Sequence, residues 1–202
     1  MRISRWTALV IIILGLVVIG GTAVILSQSS HTFSGILPDT PTPAPDFTLT
    51  DETGTPFTLG NLRGQWILLA YGYTSCPDVC PTTLAQLRGV KVGLGPDADK
   101  VRVVFVSVDP ERDTPDILQR YLAHFGADFK GLSGTAAEVA AAAEPYGVRY
   151  EKSAETGSAA GYQMSHTAYV YLIDPEFNLR VTFPFGVGSD EILSDLTYLM
   201  ND

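Results

Sequence analysis

Cysteine is scarce in this chain, which has two cysteines in 202 residues, both in the segment "SCPDVC" at residues 75–80. A disulfide between them would close a loop of about five residues and contribute roughly 2 kcal/mol in the chain-entropy model. A domain with a hydrophobic core of its own gains little from such a bridge. The polar surroundings and the two prolines beside the cysteines also disfavour a pair of buried, inert thiols. The scarcity and the spacing therefore indicate a chemical role.

Basic residues are also few, with 13 lysines and arginines against 22 aspartates and glutamates. Two of the basic residues, Arg2 and Arg5, precede all the acidic ones. The rest of the chain therefore has 11 basic and 22 acidic residues and a formal charge near −11. This charge argues against nucleic acid and anionic lipid as partners, and it favours a cation or a basic protein. The same charge would also keep the protein soluble.

One long apolar run is present, at residues 8–26, and it contains no charged residue. At 1.5 Å per residue, a helix of this length covers about 28 Å, close to the thickness of the hydrocarbon core of a bilayer. The two arginines before it and the polar residues after it predict that the rest of the chain lies outside the cytoplasm. The run is long for a signal peptide and no A-x-A cleavage site follows. We therefore predict an uncleaved membrane anchor at residues 1–26.

The segment after the anchor, residues 27–45, has no regular hydrophobic period and contains prolines at 38, 41, 43 and 45. This composition predicts an extended, partly stiff tether. Residues 46–202 contain no internal repeat and are numerous enough for a single domain with a core. The predicted organisation is therefore an anchor, a tether and one domain.

Strand and helix patterns alternate through the domain. A hairpin is predicted in "DFTLTDETGTPFTL", and two buried central strands are predicted in "WILLAYGY" and "VRVVFVSVD". Helices are predicted in "TTLAQLRGVKVGL", "TPDILQRYLAHFG", "TAAEVAAAAEPYG" and "SDEILSDLTYLM", and two later strands in "TAYVYLID" and "NLRVTFPF". This order predicts a thioredoxin-like α/β domain.

In such a domain the cysteine segment forms an exposed loop between the first central strand and a helix. Cys80 directly precedes Pro81, and we predict that it caps this helix, whose N-terminus would favour a thiolate. Thioredoxin-type redox pairs are C-x-x-C and work beside a proline that precedes a later strand. Here three residues separate the cysteines, and no proline occurs between Pro145 and Pro175. His166 lies in the corresponding place.

Two thiolates and an imidazole suit copper, because thiolate selects Cu(I) and imidazole also accepts Cu(II). Zinc remains open, since two cysteines and one histidine would leave a fourth position free. Met164, two residues before His166, offers a thioether or simply packs in the core. His31 in the tether and His124 at the end of a helix are poor candidates.

Three segments, "YGYTSCPDVCPTTL", "VFVSVDPERDTP" and "SHTAYVYLIDP", resemble the Sco/SenC family of membrane-anchored copper chaperones, in the same order and over about residues 44–200. The resemblance implies that Cys76, Cys80 and His166 bind one copper ion, as Cu(I) or Cu(II), with Asp78 beside the site. It also implies a role in assembling the dinuclear copper centre of cytochrome c oxidase subunit II. Ser165 departs from the family, where many members have an acidic residue before the histidine.

The implied partners are subunit II, a copper donor protein and a thiol reductant. The predicted location is a bacterial plasma membrane, crossed once, with the domain on the extracytoplasmic side, because no arginine-rich presequence precedes the anchor. An alternative stays open, in which Cys76 and Cys80 form the redox pair of a thiol-disulfide oxidoreductase that reduces the copper-site cysteines of the oxidase. That enzyme would not need His166. A peroxiredoxin is disfavoured because Leu69 and Tyr73 stand where its motif has proline and threonine.

Overall fold

The computed structural model describes Trp6, residues 31–153 and residues 161–201. The chain divides into two units, residues 1–32 and residues 33–202. The predicted anchor at residues 8–26 lies outside the described residues. Among the residues that are described, no helix is both long enough and apolar enough to cross a bilayer.

The second unit is built on one mixed sheet of eight strands. In chain order these are β1 (Thr42–Pro43), β2 (Thr48–Asp51), β3 (Pro56–Thr58), β4 (Trp66–Gly72), β5 (Val101–Ser107), β6 (Lys130–Ser133), β9 (Tyr169–Ile173) and β10 (Asn178–Pro184). Their order across the sheet is β1-β10-β9-β4-β5-β6-β2-β3. The strands β7 (Tyr150–Lys152) and β8 (Met164–His166) form a separate two-stranded sheet.

The two central strands confirm the interpretation of the apolar runs. β4 and β5 are parallel, all seven residues of β4 are buried, and in β5 only Arg102 is partly exposed. Continuous burial of this kind requires cover on both faces of the sheet. The predicted hairpin is also present, with Leu49 opposite Phe57. Together with the antiparallel pair β9 and β10, these strands confirm the thioredoxin-like α/β architecture.

The described residues of the second unit contain four α-helices, which are α1 (Val79–Leu94), α2 (Pro115–Leu122), α3 (Ala136–Ala143) and α4 (Ser189–Asn201). The cap of α2 is Thr114, whose hydroxyl accepts from the Ile117 N–H, and Pro115 takes the first helical position, where its missing N–H costs nothing. Thr135 and Glu138 form a capping box at the start of α3. These local signals explain why both helices begin where the sequence predicts.

The predicted tether at residues 27–45 is corrected in its second half, because residues 33–45 belong to the folded unit. Ile36 exchanges two backbone hydrogen bonds of 2.8 Å with Thr182, and β1 extends the sheet along β10. The physical reason is that β10 otherwise ends the sheet with unpaired backbone groups. Proline is tolerated at such an edge, so the prolines of this segment did not prevent pairing.

Candidate metal centre

The fold brings the two cysteines and His166 to one edge of the sheet. Cys76 and Cys80 follow the carboxyl end of β4, while His166 is three residues before the first residue of β9. Because β4 and β9 are antiparallel neighbours, the end of one meets the beginning of the other. Residues that are 86 positions apart in the chain therefore become contacts.

The three side chains form a compact donor set. Their Sγ atoms and one imidazole nitrogen all lie within 4.8 Å of one another, and the Cys80 Sγ to His166 Nε2 distance is 3.2 Å. Both cysteines are free thiols, and the Cys80 backbone N–H donates to Cys76 Sγ at 3.4 Å. Across the described ranges, no other group of three or more Cys, His, Asp or Glu side chains is arranged to hold an ion.

The donors differ in how far solvent reaches them. Cys80 is buried, with 2% of its surface exposed, while Cys76 and His166 are partly exposed. A shallow pocket lined by Tyr73, Cys76, Asp78, Met164 and His166, among others, opens beside them. An ion bound by the three atoms would therefore be approached from the side of Cys76 and His166.

The prediction that Cys80 caps the helix was wrong. α1 begins at Val79, Asp78 is its cap residue, and Cys80 lies in the first turn. The helix can start before Pro81 because N–H groups of the first turn have no partner within the helix, so proline is tolerated there.

The Cys80 thiol is correspondingly not set up as a free thiolate. Burial raises the pKa of Cys80 well above its ordinary value, and a backbone hydrogen bond involving Tyr73 only partly opposes this rise. The effect of the helix N-terminus is thus outweighed by desolvation of the charged form. In the metal-free protein the Cys80 thiol keeps its proton.

The orientation of His166 is set by a backbone carbonyl. Nδ1 of His166 lies 3.0 Å from the Thr167 carbonyl oxygen, and because a carbonyl can only accept, Nδ1 carries the proton. Nε2 is then left with a lone pair that faces Cys80 Sγ. Burial lowers the pKa of His166, with the Thr167 hydrogen bond acting the other way, so the neutral, ligating form is favoured. Ser165, which stands where many family members have an acidic residue, donates its hydroxyl to the Glu151 carbonyl.

Two residues that the sequence did not assign to the site lie against its ligands, Gly72 beside the Cys80 sulfur and Tyr73 beside the His166 ring. Gly72 ends β4, and a methyl group at this residue would lie 2.8 Å from Cys80 Sγ and 2.7 Å from the Phe105 ring. The Tyr73 ring meets the His166 ring edge to face at 6.0 Å between centroids. In the sequence, Gly72 is part of the apolar run predicted as a central strand, and the need for a missing side chain there is visible only when Cys80 and Phe105 are placed.

The remaining candidates have weaker links to the donor set. Asp78 is exposed and accepts a hydrogen bond of 3.4 Å from the Thr82 hydroxyl. Met164 is partly buried, packs against the core and lines the same pocket. His31 and His124 are not part of the donor cluster. Asp78 also lines the pocket beside Cys76 and His166.

The donor set can do two kinds of chemistry. Two thiolates and one neutral imidazole bind a soft cation, and metal–sulfur and metal–nitrogen distances of about 2.3 and 2.1 Å place the ligand atoms of a trigonal site about 3.8 to 4.0 Å apart. The Cys80 Sγ to His166 Nε2 distance of 3.2 Å is shorter than this spacing, and no two of the three ligand atoms are more than 4.8 Å apart, so the donor set is already close to what a bound ion requires. Alternatively, two thiols this close can be oxidised to a disulfide and reduced again.

Comparison with known proteins supports a single family. Residues 38–201 match the family model described as SCO1/SenC. Protein SCO2, mitochondrial, from Saccharomyces cerevisiae is 33% identical over 188 residues, which cover 87% of this chain and 60% of the yeast protein. The SCO2-like protein RP587 of Rickettsia prowazekii is 30% identical over 195 residues, covering 94% of this chain and 95% of that protein. The chain thus spans less than two thirds of the yeast relative and nearly all of the Rickettsia one.

A solved structure of a related protein has a similar fold. The structure of Bradyrhizobium japonicum ScoI with copper bound superimposes with a TM-score of 0.70 at 40% sequence identity. The match covers 77% of this chain and 98% of that structure. The likeness therefore extends over essentially the whole of the solved domain.

Proposed function

Because this chain belongs to the SCO1/SenC family, we propose that it is a copper-binding protein that serves in the assembly of cytochrome c oxidase. Its cargo is one copper ion, bound by Cys76, Cys80 and His166. The acceptor is the dinuclear copper centre of oxidase subunit II, as the family resemblance implies. A copper donor protein loads the site, and a thiol reductant keeps the cysteines ready.

The observation that carries this proposal is the donor cluster of two free thiols and one imidazole within 4.8 Å. Sulfur-rich sites of low coordination number suit Cu(I), and the imidazole allows Cu(II). Zinc would use the same atoms but prefers four ligands in structural sites. The copper-bound relative from Bradyrhizobium japonicum favours copper over zinc.

The unequal exposure of the ligands supports an order of transfer. Cys76 and His166 are reachable from solvent while Cys80 is buried, so an incoming acceptor displaces the two accessible ligands first and Cys80 last. Loading requires the Cys80 thiol to lose its proton, because the thiolate is the ligand. Binding of the ion at Cys80 therefore releases this proton, and release of the ion lets Cys80 take up a proton again.

We place the domain outside the cytoplasm, attached to a bacterial plasma membrane through residues 8–26. The support is the uncharged length of this run and the position of Arg2 and Arg5 before it. A basic acceptor surface would suit the acidic domain.

A second function, reduction of the copper-site cysteines of the oxidase, is favoured by one observation. The Cys80 N–H points at Cys76 Sγ, and the donor atoms of both residues lie within the same 4.8 Å cluster. A dithiol in this arrangement can reduce a disulfide, becoming a disulfide itself as the substrate gains two thiols. This reaction uses the two cysteines and leaves His166 without a role.

The test is a Cu(I) titration of the full-length protein, purified in detergent and reduced without oxygen, against a chelator of known affinity. We expect one tightly bound copper in the parent. Loss of a ligand in Cys80→Ser or His166→Ala should weaken binding by about 100-fold or more, beyond the 10- to 100-fold typical of an outer contact. His124→Ala is the matched control, since His124 is exposed and outside the cluster.

The outcomes separate the functions. Binding that depends on His166 but not on His124 supports the copper site, and displacement of the ion by zinc at equal concentration would contradict it. Copper binding that is indifferent to His166, together with reduction of a disulfide in a subunit II peptide, would replace the proposal with the oxidoreductase.

A further inference from the structure

A polar loop at residues 107–113 follows β5 and holds the segment that carries the cysteines. The carboxylate of Asp113, which is 1% exposed, accepts from the Thr74 N–H at 2.9 Å and from the Thr74 hydroxyl at 2.5 Å. The Ser107 hydroxyl donates to the same carboxylate. Thr74 is two residues before Cys76, so Asp113 fixes the start of the cysteine loop.

The same loop holds the hairpin that carries His166. Arg112 donates through Nε to the buried Asp109 carboxylate and through Nη1 to the Tyr162 carbonyl at 2.9 Å. The Tyr162 hydroxyl donates to the other oxygen of Asp109 at 2.6 Å. The Arg112 guanidinium also stacks on the Tyr162 ring, 3.8 Å from its centroid. Tyr162 is thus held by this loop through its carbonyl, its hydroxyl and its ring. It lies two residues before the first residue of β8.

The hairpin needs such support. Within the described part of the chain β8 pairs only with β7, through Tyr150, Glu151 and Lys152, and an isolated two-stranded hairpin is at best marginally stable in water. A metal site tolerates ligand displacements of only about 0.5 Å. The position of His166 relative to Cys80 therefore depends on contacts outside the hairpin itself.

We propose that residues 107–113 are a positioning element of the metal site, in which Asp113 fixes the cysteine loop while Asp109 and Arg112 fix the histidine hairpin through Tyr162. This inference rests on the proposed function for its consequence on copper binding. Its structural part, the anchoring of His166 through Tyr162, stands independently of copper. None of these residues touches the ion; they act through Cys76 and His166.

A second contact runs from Arg112 towards the imidazole. The guanidinium lies 5.7 Å from the centroid of the Tyr73 ring. The Tyr73 ring in turn packs edge to face against the His166 ring. Lys152 adds a rim contact by its ion pair of 2.8 Å with Glu111. The exposed Lys152 pair contributes little, so the buried contacts of Tyr162 are the ones to test.

The test variant is Tyr162→Phe, which removes one hydroxyl and retains the stacked ring. Tyr71→Phe is the matched control, because it removes another buried hydroxyl, one that donates to the Ala142 carbonyl at 2.8 Å, away from the hairpin. The first measurement is amide hydrogen exchange of residues 164–166 in the metal-free, full-length protein. We expect about tenfold faster exchange at these amides in Tyr162→Phe and no change there in Tyr71→Phe.

The second measurement is the Cu(I) titration of the same proteins. Tyr162→Phe should weaken binding by about tenfold, the low end of the range for contacts outside the ligand set. In a His166→Ala background the same substitution should have no further effect, because its influence passes through His166. Asp109→Asn, which also loosens Arg112, should show the same dependence on background.

Unchanged exchange at residues 164–166 in both Tyr162→Phe and Asp109→Asn would overturn the inference. So would an affinity loss of equal size in the parent and His166→Ala backgrounds, since that would be a general effect on the fold. Failure of the parent to bind copper would refute the proposed function instead, and the exchange experiment would still decide whether the loop holds the hairpin. Thermal unfolding of each variant shows whether it is folded.

Discussion

The substitution Gly72→Ala separates the role of the sulfur position from that of the fold. Gly72 is the last residue of β4, and alanine suits the backbone of a strand. The added methyl group would lie 2.8 Å from Cys80 Sγ and 2.7 and 2.9 Å from two carbons of the Phe105 ring. All three distances are too short for real contacts, so both neighbours must move.

The size of the effect follows from these distances. Nonbonded carbon contacts are optimal at about 3.5 to 4.0 Å, so Cys80 Sγ must shift by roughly 0.7 Å, more than the approximately 0.5 Å that a functional site tolerates. We expect at least about tenfold weaker Cu(I) binding. Overpacking against Phe105 should also cost about 1–3 kcal/mol of unfolding free energy.

The assay pairs a Cu(I) titration with urea unfolding of the metal-free protein for Gly72→Ala, Phe105→Leu and the double variant. Leucine at 105 makes room on the ring side and leaves the contact with Cys80 unchanged. The double variant should therefore be about as stable as Phe105→Leu alone, while its copper affinity stays as low as that of Gly72→Ala.

Two results would refute this reasoning. Parent-like copper affinity in Gly72→Ala would show that the sulfur adapts without cost to the site. Recovery of affinity together with stability in the double variant would show that the copper effect came from general strain in the core.

Two further predictions concern stability. Asp195, fully buried on α4, accepts from the Ser34 and Gly35 N–H groups at 2.9 and 3.2 Å, so Asp195→Ala should lower the unfolding free energy measured in urea by about 1–3 kcal/mol. The control Asp190→Ala, at an exposed position of the same helix, should change it by less than about 0.5 kcal/mol. Equal effects of the two substitutions would contradict the argument. Burial would raise the pKa of Asp51, but hydrogen bonds from Thr53 and Thr55 and from Lys130 lower it from 3.8 to about 2. Its stabilising effect should therefore be complete above about pH 4 and be lost as the pH falls towards 2. In urea unfolding between pH 6 and 2, the parent should exceed Asp51→Asn in unfolding free energy by about 1–2 kcal/mol at the higher pH, and this difference should close as the pH falls. A difference that is constant with pH would refute this.

Much of the fold could be predicted from local patterns. The buried runs of β4 and β5 and the Thr114–Pro115 start of α2 are signals carried by neighbouring residues. The start of α1 was misplaced because a proline in the first turn is compatible with more than one helix start. The pairing of Ile36 and of β1 with β10 was also missed, because prolines suggest a tether and the partner strand is distant in sequence.

The site was predicted as a set of residues, since C-x-x-x-C and a distant histidine suffice to name Cys76, Cys80 and His166. Their electrostatics could not be predicted in the same way. The raised pKa of Cys80 comes from burial, and the partner of His166 Nδ1 is a backbone carbonyl, which every residue type possesses.

The sequence by itself determined the α/β pattern, the acidic charge and the identity of the three donor side chains, because these depend on residue type and on near neighbours. Only the tertiary structure decided that His166 Nε2 faces Cys80 Sγ at 3.2 Å, that Gly72 leaves room for that sulfur, and that Arg112 and Asp113 link the hairpin to the cysteine loop. The physical reason is that these contacts join segments distant in the chain, and strand order in the sheet, which no local pattern encodes, brings them together.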